Sequence, residues 1–260
     1  MSSEAQNVKS AQRTLEILEV VAKYGDGIGF VELSSLLPYP KSSLHGLLQT
    51  IVSMRWLIFD PVQRHYSVGV KPWEVGQAFL PSRELVVRAR QFLRETNLEL
   101  GETVQLGILD DLDIVYIDKV EGTRPLRLFS RVGSRLPAYV TGIGKALLAG
   151  LDDAVLESRF AGATLEGYTN KTITAGDELI RVLRDVRRQG YAVDDGEYTL
   201  GVYCVAVPIR DRGGSVVAAM SCSLPKSRLD IGELQVGQVI EVLVRQARSI
   251  SQALGARTGA

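Results

Sequence analysis

The sequence predicts an α+β protein in two parts: a small helical unit ending in a β-hairpin, then a larger domain whose helices flank a mostly antiparallel sheet. Three observations predict it. The 260 residues, 45% hydrophobic and 23% charged, suffice for a real core and exceed one small domain. Residues 10–53 carry helical apolar spacing broken by glycines and prolines. Beyond residue 100, short strand-like runs interleave with helical stretches.

In order along the chain, Ala11, Leu15, Leu18 and Ala22 form a stripe flanked by Thr14, Ile17 and Val21, predicting a helix over Ser10–Tyr24 that stops at "YGDGIG". A second helix, Phe30–Leu37, turns Leu33, Leu36 and Leu37 inward, and Pro38 and Pro40 then force a turn. Pro40 opens the third helix, Lys41–Ser53, at no hydrogen-bond cost. There Leu44, Leu47, Leu48 and Ile51 fix the core side. The opposite face is Ser42, His45, Gly46, Gln49 and Ser53, with Lys41 and Ser43 at its N-terminal edge. "WLIFDPVQRHYSVG" then reads as a hairpin turning at Asp60–Gln63, with Arg64 and His65 near its tip.

Three helices and a hairpin, the last helix presenting small polar side chains, have the layout of a winged helix-turn-helix. Such a unit lays its last helix in the major groove, where hydroxyls, amides and backbone N–H groups meet phosphates and base edges. A solvated helix face in a small domain is the plainer alternative. Charge is neutral evidence overall: 30 basic against 30 acidic residues give net +0. Locally, Pro40 to Lys71 holds Lys41, Arg55, Arg64 and Lys71 against Asp60 alone.

Lys71–Leu80 reads as a connecting segment and Arg83–Leu100 as a longer helix with Leu85, Ala89, Phe92, Leu93 and Thr96 on one stripe. Two strand runs meet at Asp110-Asp111-Leu112-Asp113, which a polar turn explains without a metal. Further strand is expected at Leu126–Phe129, a helix opening at "TGIGKALLAG", a helix at Asp177–Gln189, strands at "YCVAVPIR" and "SVVAAMSCSL", and a closing helix over Ile231–Leu254.

Catalysis finds no support here. "GIGK" lacks the earlier glycine and the following Ser or Thr of a phosphate loop, since Tyr139 and Ala146 stand there. A thiol nucleophile needs a histidine base, and both histidines, His45 and His65, lie in the first part. Two cysteines, Cys204 and Cys222, make no disulfide framework. The apolar runs fall short of a membrane span and the N-terminus lacks the order of a secretion signal, so a cytoplasmic protein without metal or cofactor is expected. What remains is binding. Strand alternation puts Ser221 and Ser223 on one face and Cys222 on the other, and the "GIGK" glycines let helix-start N–H groups approach an anion. Inert core cysteine, solvent-facing serines and a turn at Asp194-Asp195 account for the same residues as well.

The motifs "SAQRTLEILEVVA", "VELSSLLPYPKSSLHGLLQTI", "GETVQLGILDDLDIVYIDKVEG", "VGSRLPAYVTGIGKALLAG", "GYAVDDGEYTLGVYCVAVPIRD" and "GSVVAAMSCSLPKSRL" occur in the order and spacing of one family. From Val8 to Gly255 the chain resembles the IclR-type bacterial transcriptional regulators. The resemblance implies a winged helix-turn-helix at 8–70, a linker helix at 71–82, and a GAF-like effector-binding and oligomerisation domain with an antiparallel sheet at 83–257. It implies double-stranded operator DNA as partner, a homodimer or homotetramer, and a small organic or aromatic acid as effector. Carried over by position, the effector contacts are Gly142, Ile143, Asp194, Cys204, Ser221 and Ser223. The chain departs from the family at Gly46, where an arginine is usual, and at Pro38 and Arg55, where glycines are usual. A sensor acting through protein contacts and an enzyme working through Cys204 are the competing classes.

Overall fold

The computed structural model describes residues 8–78, 80–123 and 130–256. The chain divides into two compact units, 1–80 and 81–260. The expected strand at Leu126–Phe129 lies outside the described residues.

The first unit is a winged helix-turn-helix: α1 (Lys9–Val21), β1 (Ile28–Gly29), α2 (Phe30–Leu36), α3 (Lys41–Ser53), β2 (Leu57–Asp60), β3 (His65–Val68) and the short α4 (Lys71–Gly76). Its three strands lie in the order β1-β3-β2. One core joins Ile17 and Val21 of α1, Leu33 of α2, Leu44, Leu48 and Ile51 of α3, and Leu57 and Tyr66 of the hairpin. Each aliphatic side chain so buried contributes ~1.5–3 kcal/mol before conformational entropy is counted.

Two expected faces are rotated. On α1, Leu15 is 60% exposed and Ala11 and Ala22 face solvent. The inward side is Ile17 and Val21 with Thr14 and Leu18 at its edge, because alanines gain little from burial and the larger branched residues take the core. On α2, Leu36 is 49% exposed while Leu33 and Leu37 are inside. Pro40 stands at the N-cap and not in the first turn, its carbonyl accepting from Leu44 N at 3.0 Å. At the other end, Arg55 takes φ +62°, the left-handed conformation for which a glycine would be the relaxed choice.

The second unit opens with α5 (Leu80–Leu100) and the hairpin β4 (Thr103–Asp110) and β5 (Asp113–Val120). There follow β6 (Arg135–Pro137), a 3-10 turn (Ala138–Val140), α6 (Gly142–Leu148), α7 (Asp153–Phe160), α8 (Gly176–Gln189), β7 (Ala192–Asp195), β8 (Val202–Arg210), β9 (Val216–Pro225), α9 (Lys226–Asp230) and α10 (Val236–Ala253). The six strands form one antiparallel sheet, β6-β5-β4-β9-β8-β7. The expected closing helix is shorter than Ile231–Leu254, for Gly232 at φ +74° breaks it and α10 begins at Val236.

Strand alternation sorts the sheet's two faces. Met220, Cys222 and Leu224 of β9 and Val205 and Val207 of β8 pack with Leu93 of α5 and Leu243 of α10. Ala219 and Ala206 face the opposite core with Ile143 and Leu147 of α6 and Leu183 of α8. The carboxylates of the β4–β5 turn are paired with arginines: Arg135 meets Asp110 and Asp113, and Arg159 meets Asp111.

Two glycines make a contrast. A Cβ on Gly144 would lie 2.1 Å from the Ala138 carbonyl oxygen, so α6 rests directly on the 3-10 turn. A Cβ on Gly46 meets nothing within 4 Å. Gly144→Ala is expected to cost ~1–3 kcal/mol or more by overpacking, and Gly46→Ala to add up to ~1 kcal/mol by helix propensity. Urea midpoints at unchanged slope read both.

Candidate functional site

On α3 the backbone does what the spacing requires: Leu44, Leu48 and Ile51 point inward, which leaves Lys41, Ser42, His45, Gly46 and Gln49 exposed on one surface. Ser43 is half-buried at the edge of that surface, its hydroxyl 3.5 Å from Nη1 of Arg13. The Arg13 guanidinium lies over the Tyr39 ring, 4.8 Å from its centroid. Sequence reading passed over Arg13; the signal available was a long cation inside the apolar spacing of the first helix.

The wing turns where Asp60 Oδ1 accepts from Val62 N at 2.7 Å and Gln63 N at 3.1 Å. Arg64 is exposed at that turn, held at φ +58°. His65 stands beside the turn, as expected, and turns its ring inward. It is the first residue of β3, paired with Gly29 and Asp60, and half-buried. Its ring lies over Gly29 and its Nδ1 is buried without a partner among the described residues. The turn's reach therefore rests on Arg64.

The second unit holds a half-open cavity, about 550 Å³ of empty space with the open solvent at its mouth included. Gly142 and Ile143 of α6, Asp194 of β7, Cys204 of β8 and Ser221 and Ser223 of β9 all lie on its wall. Register explains the meeting. Cys204 pairs with both Asp194 and Ser223, Ala206 with Ser221, so the polar positions of three adjacent strands fall on one sheet face. Cys222 points the other way into core.

Further wall residues come from distant parts of the chain: Gln105 (β4), Tyr116 (β5), Ser130, Thr141, Tyr198 and Thr199, with Leu136 and Val202 supplying apolar surface. The cysteine thiol lies 3.0 Å from Ser223 Oγ, which donates to Gln105 Oε1 at 3.2 Å, and Gln105 Nε2 donates to the Ser130 hydroxyl. Thr141 caps α6 by accepting from Gly144 N at 3.0 Å. The first N–H groups of a helix lack intrahelical partners, and those of α6 belong to wall residues Gly142 and Ile143.

Charge at the wall is buried. Asp194, 4% exposed, accepts from Glu197 N at 2.7 Å. Burial pushes its carboxyl up to about 7, against the pull of that N–H group and of Lys145. Lys145, 2% exposed on α6, is ion-paired with Glu197, whose own carboxyl is raised by burial and whose second oxygen has no partner among the described residues. Burial, with Asp194 adding to it, pushes the Cys204 thiol far up, so it stays protonated. A neutral thiol facing a carboxyl and hydroxyls binds hydrogen-bonding groups and lacks the thiolate a nucleophile needs. Sequence reading missed Gln105, Tyr116, Ser130, Thr141, Tyr198 and Thr199. Gln105, polar between Val104 and Leu106 in a buried run, was the readable signal.

Comparison with known proteins places these features. The profile described as "Bacterial transcriptional regulator IclR C-terminal" matches residues 77–252, and "IclR helix-turn-helix domain" matches residues 10–61. The chain is 35% identical over 248 residues to the HTH-type transcriptional regulator XynR of Escherichia coli K12, covering 95% of this chain and 98% of that one. It is 32% identical over 250 residues to the transcriptional repressor IclR of the same organism, covering 95% and 90%. A crystal structure of a transcriptional regulator from Rhodococcus sp. RHA1 superposes with TM-score 0.80 at 29% identity, covering 95% of this chain and 98% of that one.

Proposed function

From the membership of this chain in the IclR family of bacterial transcriptional regulators, which makes it a DNA-binding regulator and not an enzyme, we propose how its two units divide the work. Residues 8–70 bind operator DNA, 71–82 form the linker, and 83–257 bind the effector and oligomerise. Helix α3 enters the major groove, where Ser42, His45 and Gln49 reach base edges and Lys41 and Ser43 the phosphates, while Arg64 on the wing reaches flanking phosphate. His65 supports the wing from within the strand. In a homodimer or homotetramer, two such units address half-sites spaced by about one helical turn, ~34 Å, or a multiple of it.

The effector is a small organic or aromatic acid, held by Gly142, Ile143, Asp194, Cys204, Ser221 and Ser223, and its binding changes the grip on an operator whose genes the protein represses. The observation that supports this most is the convergence of these six residues on the wall of one cavity. The cytoplasm is where such a regulator works. No described helix is long and apolar enough to cross a membrane.

A mobility-shift assay on the chain's own upstream DNA tests the placement of α3. Lys41→Gln should weaken binding to every sequence and lower the salt slope by about one unit. Gly46→Arg should change which operator is preferred, since an exposed glycine brings the helix backbone close to the bases. A Lys41 variant with unchanged affinity and slope would move the interface off this helix.

A further inference from the structure

Among the described residues, the charged groups around Asp194 leave the cavity wall without a free cation. From β8 the Cys204 thiol faces it, from β5 the Tyr116 phenol, from the segment after β7 Glu197 and Tyr198, and from α6 Lys145. Both the thiol and the phenol are pushed up by burial and stay neutral. The Lys145 ammonium is already paired with Glu197. Among the described residues that line the cavity none is a lysine, arginine or histidine. Asp194 and Glu197 thus set two carboxyl groups against one cation before any ligand arrives.

Resting on the effector reading above, we propose that an anionic effector enters this cavity together with one proton from solvent, which settles on Asp194 and lets its carboxyl donate a hydrogen bond to the effector's carboxylate. Two carboxylates in contact on a wall of low dielectric repel too strongly for both to stay ionised, whereas a shared proton turns the repulsion into a charge-assisted hydrogen bond. The proton comes from buffer, and no other bond is made or broken. The cost of protonation is small, because burial already holds the Asp194 carboxyl at about 7. The Glu197 N–H group donates to Oδ1 and the Tyr198 N–H group also holds the carboxyl, so the proton that arrives with the effector adds to a carboxyl already fixed in place. Asp194 therefore selects for ligands that bring an acceptor charge, and it ties effector affinity to pH.

Titration calorimetry of the full chain, run in paired buffers of different ionisation enthalpy, counts the protons. The probes are 4-hydroxybenzoate, benzoate, pyruvate and glyoxylate, with 4-hydroxybenzamide as the uncharged control. For an acid that binds, uptake should approach one proton at about pH 8 and fall toward zero at about pH 5.5, with Kd rising up to about tenfold per pH unit above pH 8. The amide should bind without uptake. Asp194→Asn, which keeps an acceptor for Glu197 N, should bind the same acid with neither uptake nor pH dependence. In the wild type, infrared difference spectra should gain a protonated-carboxyl stretch on acid binding at about pH 8, a readout independent of how the variant folds. An acid that binds at pH 8 with no proton uptake overturns the inference and leaves the effector reading standing. Uptake that persists in Asp194→Asn also overturns it, moving the proton to another group. If no acid binds, the effector reading falls and takes the inference with it.

Discussion

Lys145→Met should lower the stability of the second unit by about 3–5 kcal/mol, more than any other single change to a polar residue here, because it leaves the Glu197 carboxylate buried and unpaired. The lost packing is small, methionine having nearly the stem of lysine, so the deficit is electrostatic. It should therefore shrink in acid. The Glu197 carboxyl is raised by burial even with its partner present, and without Lys145 it rises further and protonates as pH falls. Lys145→Met combined with Glu197→Leu should recover most of the loss. Both tryptophans, Trp56 and Trp73, lie in the first unit, so the urea transition must be followed by tyrosine near-UV dichroism or by amide exchange on β8 and β9. A Lys145→Met protein as stable at pH 8 as the wild type would refute the account.

The second large effect is a pH profile. The Asp194 carboxyl titrates at 3.8 in the unfolded chain and at about 7 in the folded one. Below the first value both states are protonated. Between the two the unfolded state loses its proton and the folded state keeps it, so stability falls as pH rises, by on the order of 4 kcal/mol across the window, and levels off above it. Asp194→Asn removes that fall: near-equal stability at about pH 4 and a gain of this order at about pH 8 are expected from denaturation at each pH. Parallel profiles for variant and wild type would show that the carboxyl is ionised throughout. A wild group kept at such a cost is the mark of a site shaped for binding.

How far the sequence discloses this molecule depends on the range of the interaction. The stripe Leu44, Leu48, Ile51 disclosed the buried side of α3, since large aliphatics at helical spacing leave one solution. The stripe on α1 misled, because Ala11 and Ala22 count as apolar in a pattern yet bury too little to orient a helix. Ser221 and Ser223 were legible through period-two alternation. Their neighbours Tyr116 and Ser130 were not, and Gln105 showed only as a polar residue in an apolar run, because nothing local says that β4 lies beside β9. The pairing of Lys145 with Glu197 is hidden for the same reason: from "GIGK" alone one sees a lysine after glycines, and its partner comes 52 residues later. The departure at Arg55 was visible in the sequence, but that it forces a non-glycine into the left-handed region is a statement about the backbone.

The adjacency of β4 and β9 also sets a timetable. Ser223 and Gln105, joined by a hydrogen bond, are 118 positions apart, so the cavity has no complete wall until β9 has left the ribosome and found its place. The first unit closes its own core within residues 17–66 and owes nothing to that event. Contacts of such different range fold at very different rates. For an interval during synthesis the nascent chain thus carries a folded winged helix-turn-helix and no completed cavity.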